Sequence, residues 1–338
     1  MSPCERRKIK IVGTGHAVPA QVVTSEMLDT RLGLPPGTVQ ARTGVSKRHF
    51  VSREENAAIL GACACKKALN TAGIGLADID LIVSAGGAHD QALPCDAAHI
   101  LHELDPNLHI QVYDVNSACM SFIAALDLLS WPIAAGHYRN VLIVSSDIAS
   151  CALDWSHLES SGIFGDGAAA AVVSAAGENE SAILASSFQT YTEGIDYCRI
   201  LGGGTRYHPT RLAAWDKASL THYAYFQMDG KRVFKLAAEK LPPFVNDLLD
   251  AAGLRMADLD CIIPHQASLL ALRHMDRHLG WNPEKVVNIF SDYGNQIAAS
   301  LPTALHIART DGRLRPGMKA LMLGTGAGLT IGGVVMEV

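Results

Sequence analysis

The sequence predicts an α/β protein that contains two copies of one α/β unit, packed in five layers in the order α/β/α/β/α. Apolar runs alternate with segments of helical spacing, which indicates largely parallel sheets covered by helices. The pattern Ala-Gly-x-x-x-Ala-Asp-x-Asp occurs at 72–80 and again at 252–260, each time just before an apolar run. A repeat this long is not a solenoid, so we interpret it as an internal duplication.

The duplication predicts two halves of similar size. Their boundary falls in the polar segment 177–180, so one half spans 1–177 and the other spans 178–338. A chain of 338 residues is long enough for two such units, each with its own sheet.

Composition excludes several classes of protein. The 28 Lys and Arg residues against 33 Asp and Glu give a net charge of −5, without the basic excess of nucleic-acid-binding proteins. No apolar run reaches the roughly 18 residues of a membrane span, and the N-terminus lacks the apolar core of a signal peptide. The eight cysteines form no Cys-x-x-Cys pair, which argues against a zinc site or a disulfide framework and predicts a cytoplasmic protein.

In the first half, predicted strands and helices alternate. Strands are expected at 8–12, 81–84, 110–115, 141–145 and 168–174, and helices from 24 onward, at 54–72, at 97–104 and at about 122–135. The first strand ends in Gly13-Thr-Gly15, which lacks the third glycine of a dinucleotide fingerprint, so we expect no nucleotide site there. The basic segment 42–49 is predicted to be a loop, either solvated or in contact with a phosphate-bearing substrate arm.

In the second half the same order recurs. The predicted elements are a helix at 232–252, a strand at 261–263, a helix at 297–308 and a strand at 320–323, followed by a glycine-rich loop at 324–333.

Cys119 is the first candidate for chemistry, because it lies where the strand at 110–115 joins the next helix. A thiol at a helix N-terminus is exposed to the positive end of the helix dipole, so we expect a lowered pKa and a reactive thiolate. The alternative is an ordinary buried cysteine, and the position alone does not decide between the two.

Two further candidates lie near predicted strand ends in the second half. His265 follows the strand at 261–263, and Asn295 precedes the helix that corresponds to the Cys119 helix. Ligands gather beyond the carboxyl ends of such strands, and the duplication would place Asn295 opposite Cys119. His265 could instead be a core histidine, and Asn295 a helix cap.

These side chains suit thioester chemistry. A thiolate can take an acyl group from a thioester, while His, Asn and backbone amides of the glycine loop stabilise negative charge on oxygen. Loss of CO2 from a malonyl thioester would supply the carbon nucleophile without a base.

Five motifs resemble the thiolase superfamily, and within it the β-ketoacyl-ACP synthase III branch. They are Asn116-Ser-Ala-Cys119, Phe164-Gly-Asp-Gly-Ala168, Pro264-His-Gln-Ala267, Tyr293-Gly-Asn295 and the terminal glycine loop. The resemblance covers essentially the whole chain. It implies a thiolase-like fold, a homodimer, acyl and malonyl thioesters of CoA or acyl carrier protein as substrates, and neither a metal nor a redox cofactor.

The resemblance also implies roles for individual residues. Cys119 would be the nucleophile, and His265 and Asn295 would stabilise the enolate. The remaining implied residues are Gly326, Ala327 and Gly328 for the oxyanion loop, Arg42, Thr43, Leu93, Phe164 and Ser268 for substrate binding, and Lys235, Arg273 and Arg277 for carrier-protein docking.

Several positions depart from the family pattern. Thr38 stands where a tryptophan stacks on the CoA adenine, Leu158 lies near the place of an arginine with the same task, and Leu270 replaces a basic residue. These departures speak against a CoA-bound donor and favour an acyl group on acyl carrier protein or on another specialised donor. Leu93 is smaller than the phenylalanine of members restricted to short primers, which suggests a medium-length or branched acyl group.

The predicted function is therefore a decarboxylative condensing acyltransferase of fatty-acid or secondary-metabolite synthesis. One alternative is an acyltransferase that passes the group on Cys119 to a hydroxyl or amine, with His265 as general base. Another is a non-catalytic subunit of a heterodimeric synthase.

Overall fold

Strands and helices alternate along the chain in a computed structural model that describes residues 6–178, 180–211 and 217–338. The strands are β1 (Ile9–Ala17), β2 (Gln21–Thr24), β3 (Lys47–Phe50), β4 (Leu81–Ser84), β5 (Gln111–Asp114), β6 (Asn140–Asp147), β7 (Gly167–Ala175), β8 (Ala182–Thr190), β9 (Cys198–Ile200), β10 (Phe226–Met228), β11 (Cys261–Pro264), β12 (Lys319–Gly326) and β13 (Thr330–Glu337). The helices are α1 (Ser25–Leu32), α2 (Thr38–Thr43), α3 (Ala57–Ala72), α4 (Asp96–Leu104), α5 (Ser121–Ala134), α6 (Leu158–Ser161), α7 (Lys217–Ala224), α8 (Gly230–Ala252), α9 (Leu269–His278), α10 (Phe290–Tyr293) and α11 (Ser300–Thr310).

Two sheets form the frame of the molecule. The first has the strand order β1-β7-β6-β4-β5 and the second β11-β12-β13-β8, with two short sheets, β2-β3 and β9-β10, beside them. The prediction of largely parallel sheets is wrong. Strands β4, β5 and β6 run parallel, as do β11 and β12, but β7, β13, β1 and β8 pair antiparallel. The three residues between β12 and β13 form a hairpin, which needs no crossover helix.

The two sheets and their helices form the five predicted layers. Helices α3 and α4 cover the outer face of the first sheet, and α8 covers the outer face of the second. Helices α5 and α11 lie between the sheets, where Phe122, Leu126, Leu301 and Leu305 belong to one shared apolar core. Cys119 and Asn295 therefore lie just before the two helices of the central layer.

The duplication is visible in local structure. Helix α3 ends at Gly73 with φ 70°, and α8 ends at Gly253 with φ 67°. Each helix is followed by one short 3-10 turn and then by a strand, β4 or β11. The glycines are required because left-handed backbone at a helix end is strained for residues with a side chain.

Three sequence assignments need correction. Strand β1 continues through the Gly13-Thr-Gly15 segment to Ala17, so these glycines do not break it. Glycine is needed at position 13 because a Cβ there would lie 2.6 Å from Ala72 on the closely packed helix α3. The Arg-Thr-Gly segment 42–44 is the end of helix α2 rather than a loop. The glycine-rich segment 324–333 is mostly strand, since β12 extends to Gly326 and β13 begins at Thr330.

Among the described helices, none combines the length and the apolar character that a membrane crossing would need.

Candidate active site

Cys119 lies in a tight elbow between β5 and α5. The Asn116 side-chain oxygen accepts a hydrogen bond from Ala118 N at 2.9 Å, and Ser117 N donates to Ser121 Oγ at 2.8 Å. Ala118 has φ 49°, a left-handed conformation that is uncommon for a residue other than glycine. Cys119 itself is half-buried in this elbow.

A second elbow, from Asn295 to Ser300, repeats this arrangement before α11. Asn295 Oδ1 accepts from Ile297 N at 2.9 Å, Gln296 N donates to Ser300 Oγ at 2.9 Å, and Ile297 has φ 52°. By this match Asn295 corresponds to Asn116, and Ala298 corresponds to Cys119. Both elbows therefore begin with an asparagine, and only the first carries a thiol, because Ala298 stands where the first elbow has Cys119.

The end of β12 packs on the Cys119 elbow. A Cβ at Gly326 would lie 3.4 Å from Cys119 N, and a Cβ at Gly324 would lie 2.5 Å from His265 Cβ and 2.7 Å from Met120 Cε. At Gly324 a side chain would overlap His265, so this approach requires glycine there. The contacts bring His265 and the Cys119 elbow to the same strand end, with Ala327 and Gly328 in the adjoining turn.

His265 is buried and neutral. Burial lowers its pKa to about 4, and its Nδ1 atom has no hydrogen-bond partner among the described residues. The next residue, Gln266, holds the segment in place by donating to Pro264 O at 2.7 Å and accepting from Ile289 N at 3.0 Å. A neutral imidazole offers one N–H donor and is a weak base at pH 7.

Asn295 is placed by contacts on both sides. Its side-chain Nδ2 donates to Ala267 O at 3.2 Å, which links it to the His265 segment. Its backbone pairs with the segment at Phe164, where Gly165 N donates to Asn295 O at 3.1 Å. The Phe164 ring packs edge-on against Phe226 at 5.1 Å between centroids.

The expectation of a lowered pKa at Cys119 is wrong. Burial, together with the nearby Asp147 carboxylate and the Cys198 thiol, raises the pKa of Cys119 to about 12. The helix dipole that was expected to dominate contributes less than removal of the thiolate from water.

The residues predicted to bind substrate have mixed surroundings. Arg42 forms an ion pair with Glu159 at 3.2 Å, and the buried Thr43 hydroxyl donates to Val39 O at 2.7 Å. Ser268 caps α9 by accepting from Ala271 N at 3.1 Å. Leu93 is 82 % exposed, so within one chain its side chain does not enter the Cys119 site.

The predicted docking residues lie on two helices that contact each other. Lys235 on α8 and Arg273 and Arg277 on α9 are exposed, and the two helices meet where Phe234 packs on His274 at 4.7 Å.

Sequence reasoning missed Asp147. It ends β6 and is fully buried, and its charge acts on Cys119. A carboxylate at the end of an apolar strand could have indicated this residue, but the predicted strand ended at 145, two residues before Asp147.

The chain is similar to known proteins over nearly its whole length. The family described as 3-oxoacyl-[acyl-carrier-protein (ACP)] synthase III matches residues 113–192, and the C-terminal part of that family matches 249–338. The chain is 33% identical over 335 residues to a β-ketoacyl-[acyl-carrier-protein] synthase III of Paracoccus denitrificans, covering 98% of this chain and 99% of the relative. It is 32% identical over 328 residues to one of Neisseria meningitidis serogroup C, covering 97% and 98%. The crystal structure of the 3-oxoacyl-(acyl carrier protein) synthase III from Pseudomonas aeruginosa superposes with a TM-score of 0.85 at 30% identity, covering 98% of each chain.

Proposed function

Because this chain belongs to the 3-oxoacyl-[acyl-carrier-protein] synthase III family, we propose that it condenses an acyl group held on Cys119 with malonyl-acyl carrier protein. It is a condensing acyltransferase of fatty-acid synthesis, and what we propose is the role of each site residue. The main support for these roles is the packing of β12 against both His265 and the Cys119 elbow.

The first half-reaction loads the enzyme. The Cys119 thiol gives up its proton as Sγ attacks the thioester carbonyl of the donor. The carrier sulfur leaves and takes up one proton, so a carrier thiol is released and a thioester forms on Sγ. The oxyanion of this step would lie near Cys119 N and the 326–328 turn, which the glycines leave accessible.

The second half-reaction forms the carbon–carbon bond. The malonyl thioester loses CO2, and its enolate oxygen accepts hydrogen bonds from His265 and the Asn295 amide. The enolate carbon attacks the acyl carbonyl and expels the Cys119 thiolate, which yields a 3-oxoacyl thioester. A pKa of about 4 keeps His265 neutral, which favours hydrogen-bond donation over the general-base role that acyl transfer to a hydroxyl or amine would need.

The experiment separates the two half-reactions. His265→Ala and Asn295→Ala are expected to load an acyl group on Cys119 but to lose condensation by 10²- to 10³-fold, roughly the cost of one oxyanion donor. 3-Oxoacyl-carrier product from malonyl-acyl carrier protein is measured by mass spectrometry. Unchanged condensation in both variants would refute the assigned roles.

We also propose that acyl carrier protein, rather than CoA, carries the donor. Glu159 neutralises Arg42, which would otherwise attract the phosphates of a CoA arm, and Thr38 offers no ring for adenine stacking. The exposed basic residues Lys235 and Arg273 support docking of an acidic carrier protein.

The donor proposal has a direct test. In Glu159→Gln, KM for acyl-CoA should fall two- to fivefold because Arg42 is freed, the modest change expected of an exposed ion pair. KM for the matching acyl-pantetheine, which has no nucleotide phosphates, should stay constant. An equal change for both donors, or a preference of the parent protein for acyl-CoA, would contradict the proposal.

A homodimer in the cytoplasm completes the proposal. Strand β5 is an unpaired edge of its sheet, and Leu93 is a highly exposed apolar side chain. Both could be covered by a second copy of the chain. The described cysteines are all free thiols, which suits a reducing compartment. The reaction as written needs no metal or redox cofactor, and we assign none.

A further inference from the structure

Asp147 is a fully buried carboxylate that the proposed reaction does not use. Its Oδ1 atom accepts hydrogen bonds from Gly87 N at 2.7 Å and Ala88 N at 2.8 Å. Its Oδ2 atom accepts from Ala299 N at 3.0 Å. One side chain at the end of β6 therefore joins the loop after β4 to the Asn295 elbow.

Gly87 lies between the two elbows. A Cβ at this position would lie 2.7 Å from Ile297 Cγ2 and 3.3 Å from the Ala118 carbonyl carbon and oxygen. Ala118 and Ile297 are the two left-handed residues that shape the Cys119 and Asn295 elbows. The loop that Asp147 holds is thus the spacer between the predicted nucleophile and the predicted enolate donor.

We propose that Asp147 is a positioning residue that holds the Asn295 elbow at a fixed distance from the Cys119 elbow. This inference rests on the proposed function, because Asn295 must meet an enolate that forms beside the acyl group on Cys119. Asp147 acts through Ala299 and Gly87 and does not touch the reacting atoms itself.

The hydrogen-bond pattern requires a carboxylate. Its two oxygens accept from three backbone N–H groups, whereas an asparagine side chain offers one oxygen and one NH2 group. An asparagine at position 147 can accept from two of the three N–H groups if its oxygen faces Gly87 N and Ala88 N. Its NH2 group then faces Ala299 N, and two donors oppose each other. Asp147→Asn should therefore release the Asn295 elbow and keep the loop at 86–88.

The first test compares the two half-reactions in Asp147→Asn. Acyl loading of Cys119 should not fall, and it should rise to the extent that loss of the Asp147 charge increases the thiolate fraction. Condensation by the preloaded enzyme should fall by ten- to a hundredfold, because a displacement of about 1 Å can cost that much. Ser146→Ala is the matched control, since Ser146 is the neighbouring buried residue and donates to Ala57 O, away from both elbows. Both of its half-reactions should keep the parent rates.

A second readout reports the charge of Asp147. Removing the carboxylate should shift the pH profile of Cys119 alkylation by iodoacetamide to lower pH, because Asp147 opposes thiolate formation. An unshifted profile would mean that the Asp147 charge lies too far from Cys119 for Asp147 to hold the two elbows together, and it would contradict the positioning role.

Gly87→Ala tests the same spacer without altering Asp147, and it decides the matter if Asp147→Asn does not fold. Its methyl group would displace Ile297, so condensation should again fall more than loading. Equal loss of both half-reactions, or no loss of condensation, in these variants would overturn the positioning role. A parent enzyme that neither loads nor condenses would instead refute the proposed function.

Discussion

At the scale of single residues, Cys119 is subject to two opposing effects. The N-terminus of α5 favours the thiolate by about 0.3–2 kcal/mol, which is at most about 1.5 pKa units. Burial can shift a pKa by up to about 3–5 units, and the Asp147 charge adds to it. Burial dominates, and the pKa of Cys119 rises to about 12.

The raised pKa predicts the pH dependence of alkylation. Below its pKa the thiolate fraction of Cys119 grows tenfold with each pH unit, so the iodoacetamide rate constant should rise tenfold per unit from pH 7 to pH 10. Peptide mass spectrometry isolates this site from exposed thiols such as Cys63 and Cys151. A plateau below pH 8 would show instead that a low-pKa thiolate is present.

The sequence indicated those candidate residues whose position relative to a strand is informative. Cys119 lies a few residues after the apolar run 110–115, His265 follows the run 261–263 closely, and the structure has them after β5 and β11. Asp147 was missed because its partners, Gly87 and Ala299, lie far from it in sequence and bond through backbone atoms. Because nearly every residue has a backbone N–H group, such hydrogen bonds cannot be predicted from the types of the residues.

At the scale of elements, apolar runs bounded by turns were predicted as strands, whereas β8, β13 and helix α9 were missed. The short strands β2, β3, β9 and β10 were missed as well. Unlike the equally short β4 and β11, they contain no run of three apolar residues. Strand β1 was predicted too short because Gly13 and Gly15 were treated as strand breakers. They are small because α3 packs directly on the strand.

This close packing predicts the cost of enlarging Gly13. In Gly13→Ala the methyl group would meet Ala72 of α3, and overpacking of this kind costs about 1–3 kcal/mol in free energy of unfolding. Gly204→Ala is the control, since a Cβ there has open space around it. Urea denaturation at equal protein concentration should show a lower free energy of unfolding for Gly13→Ala and an unchanged one for Gly204→Ala. Equal midpoints for the two variants would mean that α3 and β1 are less tightly packed.

At the scale of the whole molecule, the duplication was the most informative sequence feature. It correctly indicated two α/β units around a central pair of helices, and the Asn116 and Asn295 elbows repeat each other bond for bond. Strand direction was not predictable in the same way, because apolar runs look alike in parallel and antiparallel sheets. The division of the chain at 177/178 remains a proposal.

Arg7 connects the two sheets through the central layer. It is buried before β1, forms an ion pair with Asp127 of α5, and donates to Ser186 of β8 at 2.6 Å. Asp127→Ala leaves the guanidinium without its counter-charge, which should lower the free energy of unfolding by about 3 kcal/mol. Asp311→Ala, which breaks the exposed pair with Arg313, should cost less than about 1 kcal/mol. If urea denaturation shows an equal decrease in the free energy of unfolding for both variants, the Arg7–Asp127 pair stabilises the protein no more than an exposed ion pair.

The intact mass of the purified protein tests the central claim most directly. After incubation with acyl-acyl carrier protein, the parent protein should gain the mass of one acyl group, and Cys119→Ala should gain none. Malonyl-acyl carrier protein should then restore the original mass, with release of CO2 and a 3-oxoacyl product. An acyl group that forms on Cys119→Ala, or one that malonyl-acyl carrier protein cannot remove, would contradict the proposed condensation on Cys119.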